Sequence, residues 1–303
     1  MKARKGRRMK TGVLRTALCV LGVSVVNSVG AQSPPGEAGA VESGFVEVAG
    51  GRIFYETAGH GPAVVMIHDG LLHRETWNAQ FAAFAKSHRV IRWDHTGYGR
   101  SDSPTAPFLN IDDLYSLLTA LGVERTSLVG CSFGSLVATE FALEHPEMVS
   151  SLVLVGPIVS GFAFSEHFAT RGGRGMPGRD AAVEQKIEYW TGIDPWIVAP
   201  ESGAARKTMR SLLVENPQNL AGSGRFARFP GWPSRERLPD IDVPTLIVVG
   251  ESDIPDVHAH AGVIQAGISG SKRVVLTHAG HLPHIEVPDE FNPVVLEFLE
   301  PIE

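Results

Sequence analysis

The chain has 303 residues, 43% of them hydrophobic, and a formal net charge of −6 at pH 7. That length can bury one sizeable core, and the acidic balance excludes the basic surface of a nucleic-acid-binding protein. The first 31 residues hold seven Lys or Arg and no acid, so their removal takes the net charge from −6 to −13. They also hold Cys19, which leaves Cys131 without a partner for an internal disulfide.

Residues 1–31 have the organisation of a signal peptide. Basic residues precede an apolar run over 17–26, and Val29-Gly30-Ala31 ends in the small-x-small pattern of a signal peptidase site. The sequence predicts cleavage after Ala31 and a periplasmic or secreted protein without a stable membrane anchor. A retained anchor is the alternative, although the apolar run is shorter than the roughly 20 residues of a membrane span. Arg7-Arg8 leaves twin-arginine export open.

After a linker predicted over 32–43, the predicted elements alternate strand and helix. Residues 45–48 and 52–56 alternate apolar and polar across Gly50-Gly51, which indicates an antiparallel hairpin. Further strands are predicted at 64–67, 90–93, 127–129, 152–155, 245–249 and 273–276, and helices at 75–85, 114–121, 136–143 and 291–299. Continuous apolar strands joined by helices predict an α/β fold with a mostly parallel central sheet and helices on both faces.

The alternation stops over residues 157–238, which we interpret as an inserted helical lid. Arg, Gly and Pro dominate 171–179, and helical patterns follow at 181–190 and 204–214. The core would then consist of residues 44–156 and 239–303.

The lid residues have two interpretations each. Its arginines would attract an anionic substrate or form a solvated face. Its aromatic residues would line an acyl pocket or form a small core of the lid. These aromatic residues are Phe162, Phe164, Trp190, Trp196, Phe229 and Trp232.

A candidate nucleophile lies in Gly130-Cys131-Ser132-Phe133-Gly134, between a predicted strand and a predicted helix. G-x-S-x-G in this setting is a nucleophile elbow, in which a strained turn lifts the serine hydroxyl clear of the sheet. The glycines leave room for the turn, because a side chain at either position would clash or cover the hydroxyl. The sequence therefore predicts Ser132 as the nucleophile, with a structural turn serine as the alternative. Cys131, in the x position, is predicted to be a small buried residue.

The acid of a catalytic triad is expected just past the carboxyl end of a strand. The strand predicted at 245–249 is followed by Asp253, with Asp256 and Glu251 as alternatives. The strand at 152–155 is followed by Gly156-Pro157 and no carboxylate, which favours Asp253. The non-catalytic interpretation of Asp253 is a helix cap.

The base is expected past the last strand, where His278, His281 and His284 follow one another. A serine hydroxyl needs such a base to take its proton. One of the three is predicted to serve, and the chain order serine, acid, histidine is the one that accompanies this elbow.

With these motifs, residues 44–300 resemble the alpha/beta-hydrolase family. The family's D-x-R-G-x-G-x-S segment is matched by Asp94-His95-Thr96-Gly97-Tyr98-Gly99-Arg100-Ser101, with Thr96 where arginine is usual. The resemblance implies that His281, the histidine after a glycine, is the base. It also implies an oxyanion hole formed by the N–H of Phe133, after the nucleophile, and by that of Gly70, in the H-G-x match His68-Asp69-Gly70.

Asp69 is the second departure from the family pattern, since glycine is usual there. A carboxylate directed into the oxyanion hole would oppose the negative charge that the hole stabilises. We therefore expect the Asp69 side chain to point away, held by a nearby partner. A side chain that points in would argue against ordinary esterase activity.

The sequence predicts an exported serine hydrolase that cleaves a carboxylic ester or lactone of a small-molecule substrate. Ser132 would attack the carbonyl, His281 would move the proton, Asp253 would orient the imidazole, and no metal or organic cofactor would be required. Hydrolysis of carbon–carbon or amide bonds and cofactor-free perhydrolysis use the same triad and are alternatives. So is a hydrolase-shaped binding protein with little turnover.

A metal site is a further alternative. It would use the histidines of His258-x-His260 and of His278-x-x-His281-x-x-His284.

Overall fold

The computed structural model describes residues 40–178, 180–220 and 226–300 and is built around an eight-stranded sheet. The predicted signal peptide and most of the predicted linker lie outside the described residues. In chain order the strands are β1 (Glu42–Val48), β2 (Gly51–Ala58), β3 (Ala63–Ile67), β4 (Arg89–Trp93), β5 (Phe108–Leu109), β6 (Thr126–Cys131), β7 (Val149–Val155), β8 (Ala227–Arg228), β9 (Thr245–Gly250) and β10 (Lys272–Leu276).

The large sheet has the order β1-β2-β4-β3-β6-β7-β9-β10. The first two pairs in this order, β1·β2 and β2·β4, are antiparallel, and the remaining pairs are parallel. Glu42 pairs with Thr57, so β1 takes in the last two residues of the segment predicted as a linker. The carboxyl ends of the parallel strands lie on the same side of the sheet, and the predicted reactive groups follow these ends.

The helices are α1 (Asn78–Phe84), α2 (Asn110–Ala120), α3 (Phe133–Glu144), α4 (Glu166–Thr170), α5 (Val183–Glu188), α6 (Gly203–Glu215), α7 (Ser234–Arg237), α8 (Pro255–Gly267), α9 (Pro283–Glu286) and α10 (Pro288–Leu299). The helix predicted at 75–85 opens with a 3₁₀ turn, Arg74–Trp77, before α1 begins. In the lid, α5 continues into a π-helical turn, Tyr189–Ile193, so the helix predicted at 181–190 is displaced towards the C-terminus. No helix within the described residues is long and apolar enough to cross a membrane.

Helices cover both faces of the sheet, as the sequence predicted. Alternate residues of a strand point to opposite faces, and β3 divides accordingly. Val65 and Ile67 belong to one apolar cluster, whereas Val64 and Met66 belong to the other. The first cluster contains side chains of α2, α3 and α8, among them Leu114, Phe141 and Ile264, and the second contains side chains of α1, α6 and α10, among them Phe84, Leu213 and Phe291.

Residues 157–238, the lid, lie between β7 and β9, and their described part adds no strand to the large sheet. Instead β8 pairs in parallel with β5 to form a separate two-stranded sheet. Near its two ends the lid closes on itself, because the Ser234 N–H donates to Ser160 Oγ at 2.8 Å and the Ser160 N–H donates to Ser234 Oγ at 3.1 Å. Because β5 belongs to the core, its pairing with β8 attaches the lid to the core within the lid's length as well as at its ends.

Candidate active site

Ser132 stands on a strained turn between β6 and α3. Its φ is +52° and its ψ −113°, a conformation that costs a non-glycine residue free energy and is typical of functional sites. The flanking glycines are required by close approach: a Cβ on Gly130 would overlap the Gly134 carbonyl, and one on Gly134 would lie 2.6 Å from the His68 carbonyl oxygen. The sequence therefore forms a nucleophile elbow in its expected position.

The two residues predicted to form the oxyanion hole are neighbours in space. A Cβ on Gly70 would lie 3.4 Å from Phe133 Cβ, so the loop after β3 lies against the first turn of α3. The first N–H groups of a helix have no acceptor within it, and the helix dipole adds positive potential there. The N–H groups of Gly70 and Phe133 therefore belong to one small region beside Ser132.

Three side chains hold in place the loop after β3, which carries Gly70. His68 Nε2 accepts the His95 N–H at 3.0 Å, which leaves Nδ1 as the donor to the Asp69 carbonyl at 2.6 Å. His95 Nε2 donates to the His68 carbonyl at 3.1 Å. The Tyr98 hydroxyl donates to the Gly70 carbonyl at 3.0 Å. All three belong to the two segments that carry the family resemblance.

Asp253 and His281 form a buried hydrogen-bonded pair past the ends of β9 and β10. Asp253 Oδ2 lies 2.8 Å from His281 Nδ1, and Asp253 Oδ1 accepts the Ile254 N–H at 2.7 Å. Burial of the imidazole lowers its pKa, but the charge and hydrogen bond of Asp253 outweigh burial and raise the pKa of His281 above 6.5. The carboxylate therefore stabilises a protonated imidazole and leaves Nε2 as the atom that can exchange a proton.

The His281 ring lies over the end of β7, beside the elbow. A Cβ on Gly156 would lie 2.9 Å from His281 Nδ1, while the Ser132 N–H donates to the carbonyl of Val155 at 2.8 Å. Among the hydrogen bonds of the described residues, none joins Ser132 Oγ to His281. Such a bond commonly tightens only when substrate binds.

The alternative acids are occupied elsewhere or exposed. Asp256 accepts the Ser165 N–H at 2.6 Å and the Ser165 hydroxyl at 2.9 Å, so it binds the lid residue that directly precedes α4. Glu251 is exposed. The structure thus brings only Asp253, of the three candidates, to the histidine.

The other histidines of the candidate metal groups have separate partners. His284 Nε2 lies 2.8 Å from the Thr76 hydroxyl, and His258 Nδ1 accepts from Arg273 at 2.9 Å. His260 Nδ1 accepts the Val159 N–H at 3.1 Å, whereas His278 is exposed with a φ of +57°. In the described part of the chain, no group of three or more His, Cys, Asp or Glu could hold a metal ion.

Cys131 is fully buried, and burial raises the pKa of its thiol far above the usual value. Its sulfur lies 3.9 Å from the His281 carbonyl oxygen. A protonated thiol is a weak nucleophile, so this environment suits a packing residue.

Glu286, which the sequence analysis did not single out, holds the loop that carries His281. Its Oε1 accepts the N–H of Gly280 at 2.9 Å and that of Leu282 at 3.2 Å, and its Oε2 accepts the Ala199 N–H at 2.7 Å. One carboxylate therefore binds both chain neighbours of His281 and a lid residue. Its only sequence signal is an acid shortly after the candidate base.

The lid also binds the backbone of His281 directly. The His281 N–H donates to the Trp196 carbonyl at 2.9 Å. The turn that presents this carbonyl is fixed by Asp194, whose Oδ1 accepts the Trp196 N–H at 3.0 Å and the Ile197 N–H at 2.9 Å. Arg171 closes the turn with two bonds to the Asp194 carboxylate, at 2.6 and 2.9 Å, so this lid arginine is paired within the protein.

The two departures from the family pattern have different surroundings. Thr96 replaces the usual arginine with a hydroxyl that donates to Asp113 Oδ2 at 2.7 Å. Asp69 is held through one oxygen only: Oδ1 accepts the N–H of Leu71 at 2.7 Å and that of Leu72 at 2.9 Å. Oδ2 is buried and has no hydrogen-bond partner.

The sequence model described as the alpha/beta hydrolase family matches residues 64–294. A similar curated protein, 2-hydroxy-6-oxo-6-phenylhexa-2,4-dienoate hydrolase of Comamonas testosteroni, is 28% identical over 264 residues, which cover 82% of this chain and 91% of that protein. Among solved structures, Est816, an N-acyl homoserine lactone degrading enzyme, is 28% identical with a TM-score of 0.67, over 84% of this chain and all of its own. A hydrolase from Pseudomonas aeruginosa PA01 is 27% identical with a TM-score of 0.72, over 86% of this chain and 98% of its own.

Proposed function

Because this chain belongs to the alpha/beta hydrolase family and is a hydrolase, we propose that it cleaves a carboxylic ester or lactone of a small molecule through an acyl-enzyme. The observation that carries the proposal is the bond of 2.8 Å between His281 Nδ1 and Asp253 Oδ2, on the side of the sheet where Ser132 follows β6. A nucleophile, a base and an orienting acid then lie past three different strands, in the arrangement that acyl transfer needs.

In the proposed reaction, His281 Nε2 takes the proton of Ser132 Oγ as the oxygen attacks the substrate carbonyl. The N–H groups of Gly70 and Phe133 stabilise the negative charge that develops on the carbonyl oxygen. The imidazolium then gives its proton to the leaving alcohol oxygen, which departs and leaves the acyl group on Ser132. A water molecule repeats the sequence and releases the acid, and Asp253 stays ionised throughout.

The comparisons support hydrolysis of a small molecule without selecting the bond or the substrate. The similar solved structure Est816 is named for lactone degradation, and the similar curated protein is named for hydrolysis of a dienoate. A lactone is a cyclic ester, so the same acyl-enzyme would form and the leaving alcohol would stay attached to the acyl group.

A fluorophosphonate probe, which reacts with activated serines, tests the nucleophile. The folded protein should be labelled at Ser132, and Ser132→Ala should abolish both labelling and cleavage of short p-nitrophenyl esters. Cys131→Ala is the matched control, because it removes the neighbouring thiol and should leave the labelled peptide unchanged.

Failure of the folded protein to label at Ser132 would contradict the proposal. Labelling without turnover of esters or lactones would instead favour the carbon–carbon or amide hydrolase alternatives, or a binding protein. A panel of lactones, linear esters and anilides of increasing acyl length distinguishes cleavage of cyclic esters, linear esters and amides.

Export is part of the same proposal and rests on residues 1–31 alone. The protein expressed in a bacterial host should appear in the periplasm or medium with Gln32 as its first residue. Intact mass spectrometry of the fractionated protein measures this directly. An intact N-terminus in the membrane fraction would instead indicate a retained anchor.

A further inference from the structure

Asp69 combines three features that the proposed acyl-enzyme mechanism does not use. It directly precedes Gly70, an oxyanion-hole residue of that mechanism. The residue is only 3% exposed. One of its carboxyl oxygens, Oδ2, is buried without any hydrogen-bond partner, whereas the other accepts two backbone N–H groups.

The hydrogen bonds of the two oxygens fit a neutral carboxylic acid. An ionised carboxylate would leave a buried, charged oxygen without a donor, which is strongly unfavourable. In the neutral acid, Oδ1 is the carbonyl oxygen that accepts the N–H groups of Leu71 and Leu72, and Oδ2 carries the proton. Burial accordingly raises the pKa of Asp69, against the N–H groups of Leu72 and Leu71 and the charge of His281, which lower it.

The charged or titratable groups close enough to interact with the Asp69 carboxyl surround the reacting atoms. They are His281 after β10, Cys131 beside Ser132 in β6, and Tyr98 after β4. Burial raises the pKa of Tyr98 to about 12 and that of Cys131 far above its usual value, so both are neutral near pH 7. Of these three neighbours, His281 is the one that changes its charge during turnover.

We propose that Asp69 is a neutral acid whose Oδ2–H donates a hydrogen bond to the substrate oxygen at the oxyanion hole, as a third donor beside Gly70 and Phe133. The proposal rests on the proposed function of Ser132 as the nucleophile. A carboxyl group that its site keeps neutral can stabilise an oxyanion, whereas an ionised one would oppose it. Aspartate in place of the usual glycine would then strengthen the hole, and Asp69 keeps its proton throughout the cycle.

Infrared spectroscopy tests the protonation state without substrate. At pH 7 the spectrum of the wild-type protein minus that of Asp69→Asn should contain the C=O band of a protonated carboxyl group. Asp113→Asn is the matched control, because Asp113 is a second buried carboxyl, with a pKa raised to about 7 by burial. That variant should lose only its own band. Absence of an Asp69 band in the folded protein would overturn the proposal.

Kinetics on a short p-nitrophenyl ester test the donor. Asp69→Asn keeps an oxygen for Leu71 and Leu72 and places an amide donor at the Oδ2 position, so kcat should fall by less than about tenfold. Asp69→Ser also offers an oxygen to the two N–H groups but has no atom, and therefore no donor, at the Oδ2 position. Its kcat should fall by about 10²- to 10³-fold with little change in KM, as when one oxyanion donor is lost. Equal kcat values for the two variants would overturn the proposal.

The pH dependence links the two measurements. The wild-type kcat should fall wherever the Asp69 infrared band disappears at alkaline pH, while Asp69→Asn should show no such fall. A band that disappears without loss of kcat would overturn the donor role.

Fluorophosphonate labelling separates this proposal from the one it rests on. If Ser132 of the wild-type protein does not label, the proposed function fails, and the donor role fails with it. If Ser132 labels and the Asn and Ser variants are equally active, only the Asp69 proposal fails.

Discussion

The Asp253 carboxylate decides which nitrogen of His281 carries the proton in the proposed mechanism. Asp253→Asn should lower kcat for a p-nitrophenyl ester by about 10⁴-fold, because an amide does not hold the imidazole in the reactive tautomer. Asp256→Asn is the matched control, since Asp256 bonds Ser165 of the lid instead of the imidazole. It should cost little activity, and the reverse pattern would transfer the acid role to Asp256.

The same pair sets the acidic side of the pH profile. Burial lowers the pKa of His281, but Asp253 raises it more, to a net value above 6.5. His281 is a base only when neutral, so kcat/KM should be low in acid and rise with pH through an apparent pKa above 6.5. The residual activity of Asp253→Asn should rise at lower pH than that of the wild type, because the carboxylate charge that raises the pKa of His281 is then lost. A rise at unchanged or higher pH would contradict this assignment.

At the scale of single residues, sequence can indicate reactive side chains because their chemistry restricts their type and order. Ser132 is marked by two glycines that sterics require and Asp253 by its position after a strand, whereas position left three histidines and the family resemblance selected His281. The state of Asp69 is different in kind. Its neutrality depends on burial, which outweighs the N–H groups of Leu71 and Leu72 and which no residue pattern specifies.

The loop between β10 and α9 depends on Glu286 for its position. Glu286→Gln keeps one acceptor oxygen but turns an amide N–H₂ towards backbone donors, so the bonds to Gly280 and Leu282 or the bond to Ala199 must break. Displacement of His281 by a fraction of an ångström should lower kcat by about 10- to 100-fold and leave KM nearly unchanged. Steady-state kinetics of this variant beside Glu290→Gln, an exposed position on α10, provide the measurement.

A merely structural role of Glu286 would give a different result. It would lower the melting temperature and the fraction of active enzyme without a change in the pH at which the remaining activity appears. A displaced His281–Asp253 pair should also shift that pH. An unchanged kcat per labelled Ser132 would refute the positioning role.

At the scale of elements, sequence periodicity predicted the eight-stranded sheet well because long apolar strands and amphipathic helices carry a repeated signal. Strands β5 and β8 have two residues each, too few to show any period. Their pairing joins residues far apart in the chain, Phe108 with Ala227 and Leu109 with Arg228. The lid was predicted from composition, but its contacts with the His281 loop run through the backbone and were not predictable.

The whole molecule contains buried carboxyls that should make its stability depend on pH. Burial raises the pKa of Asp113 to about 7, against the Thr96 hydroxyl, which lowers it. The folded state then binds a proton that the unfolded state has lost, so this group reduces the free energy of unfolding as pH rises from about 4 towards 7. In Asp113→Asn the amide oxygen can still accept the Thr96 hydroxyl, and the carboxyl group that titrates is removed.

Thermal denaturation across this pH range measures the effect. The melting temperature of Asp113→Asn should fall less between pH 4 and 7 than that of the wild type. Parallel curves would show that Asp113 has similar pKa values in the folded and unfolded chains. Glu140 on α3, whose pKa burial also raises to about 7, offers an independent second variant in Glu140→Gln.

The attachment of the lid predicts whether the enzyme hydrolyses dissolved ester or ester in droplets. A lid attached only at its ends can move away from the active site at an oil–water boundary. This lid is also bound at three further places: a lid carbonyl accepts the His281 N–H, a lid N–H donates to Glu286 of the His281 loop, and β8 pairs with β5. To open as a unit it would have to release the base it holds in place. Hydrolysis should therefore follow the concentration of dissolved monomeric ester and level off at its solubility limit, with no jump in rate when droplets form.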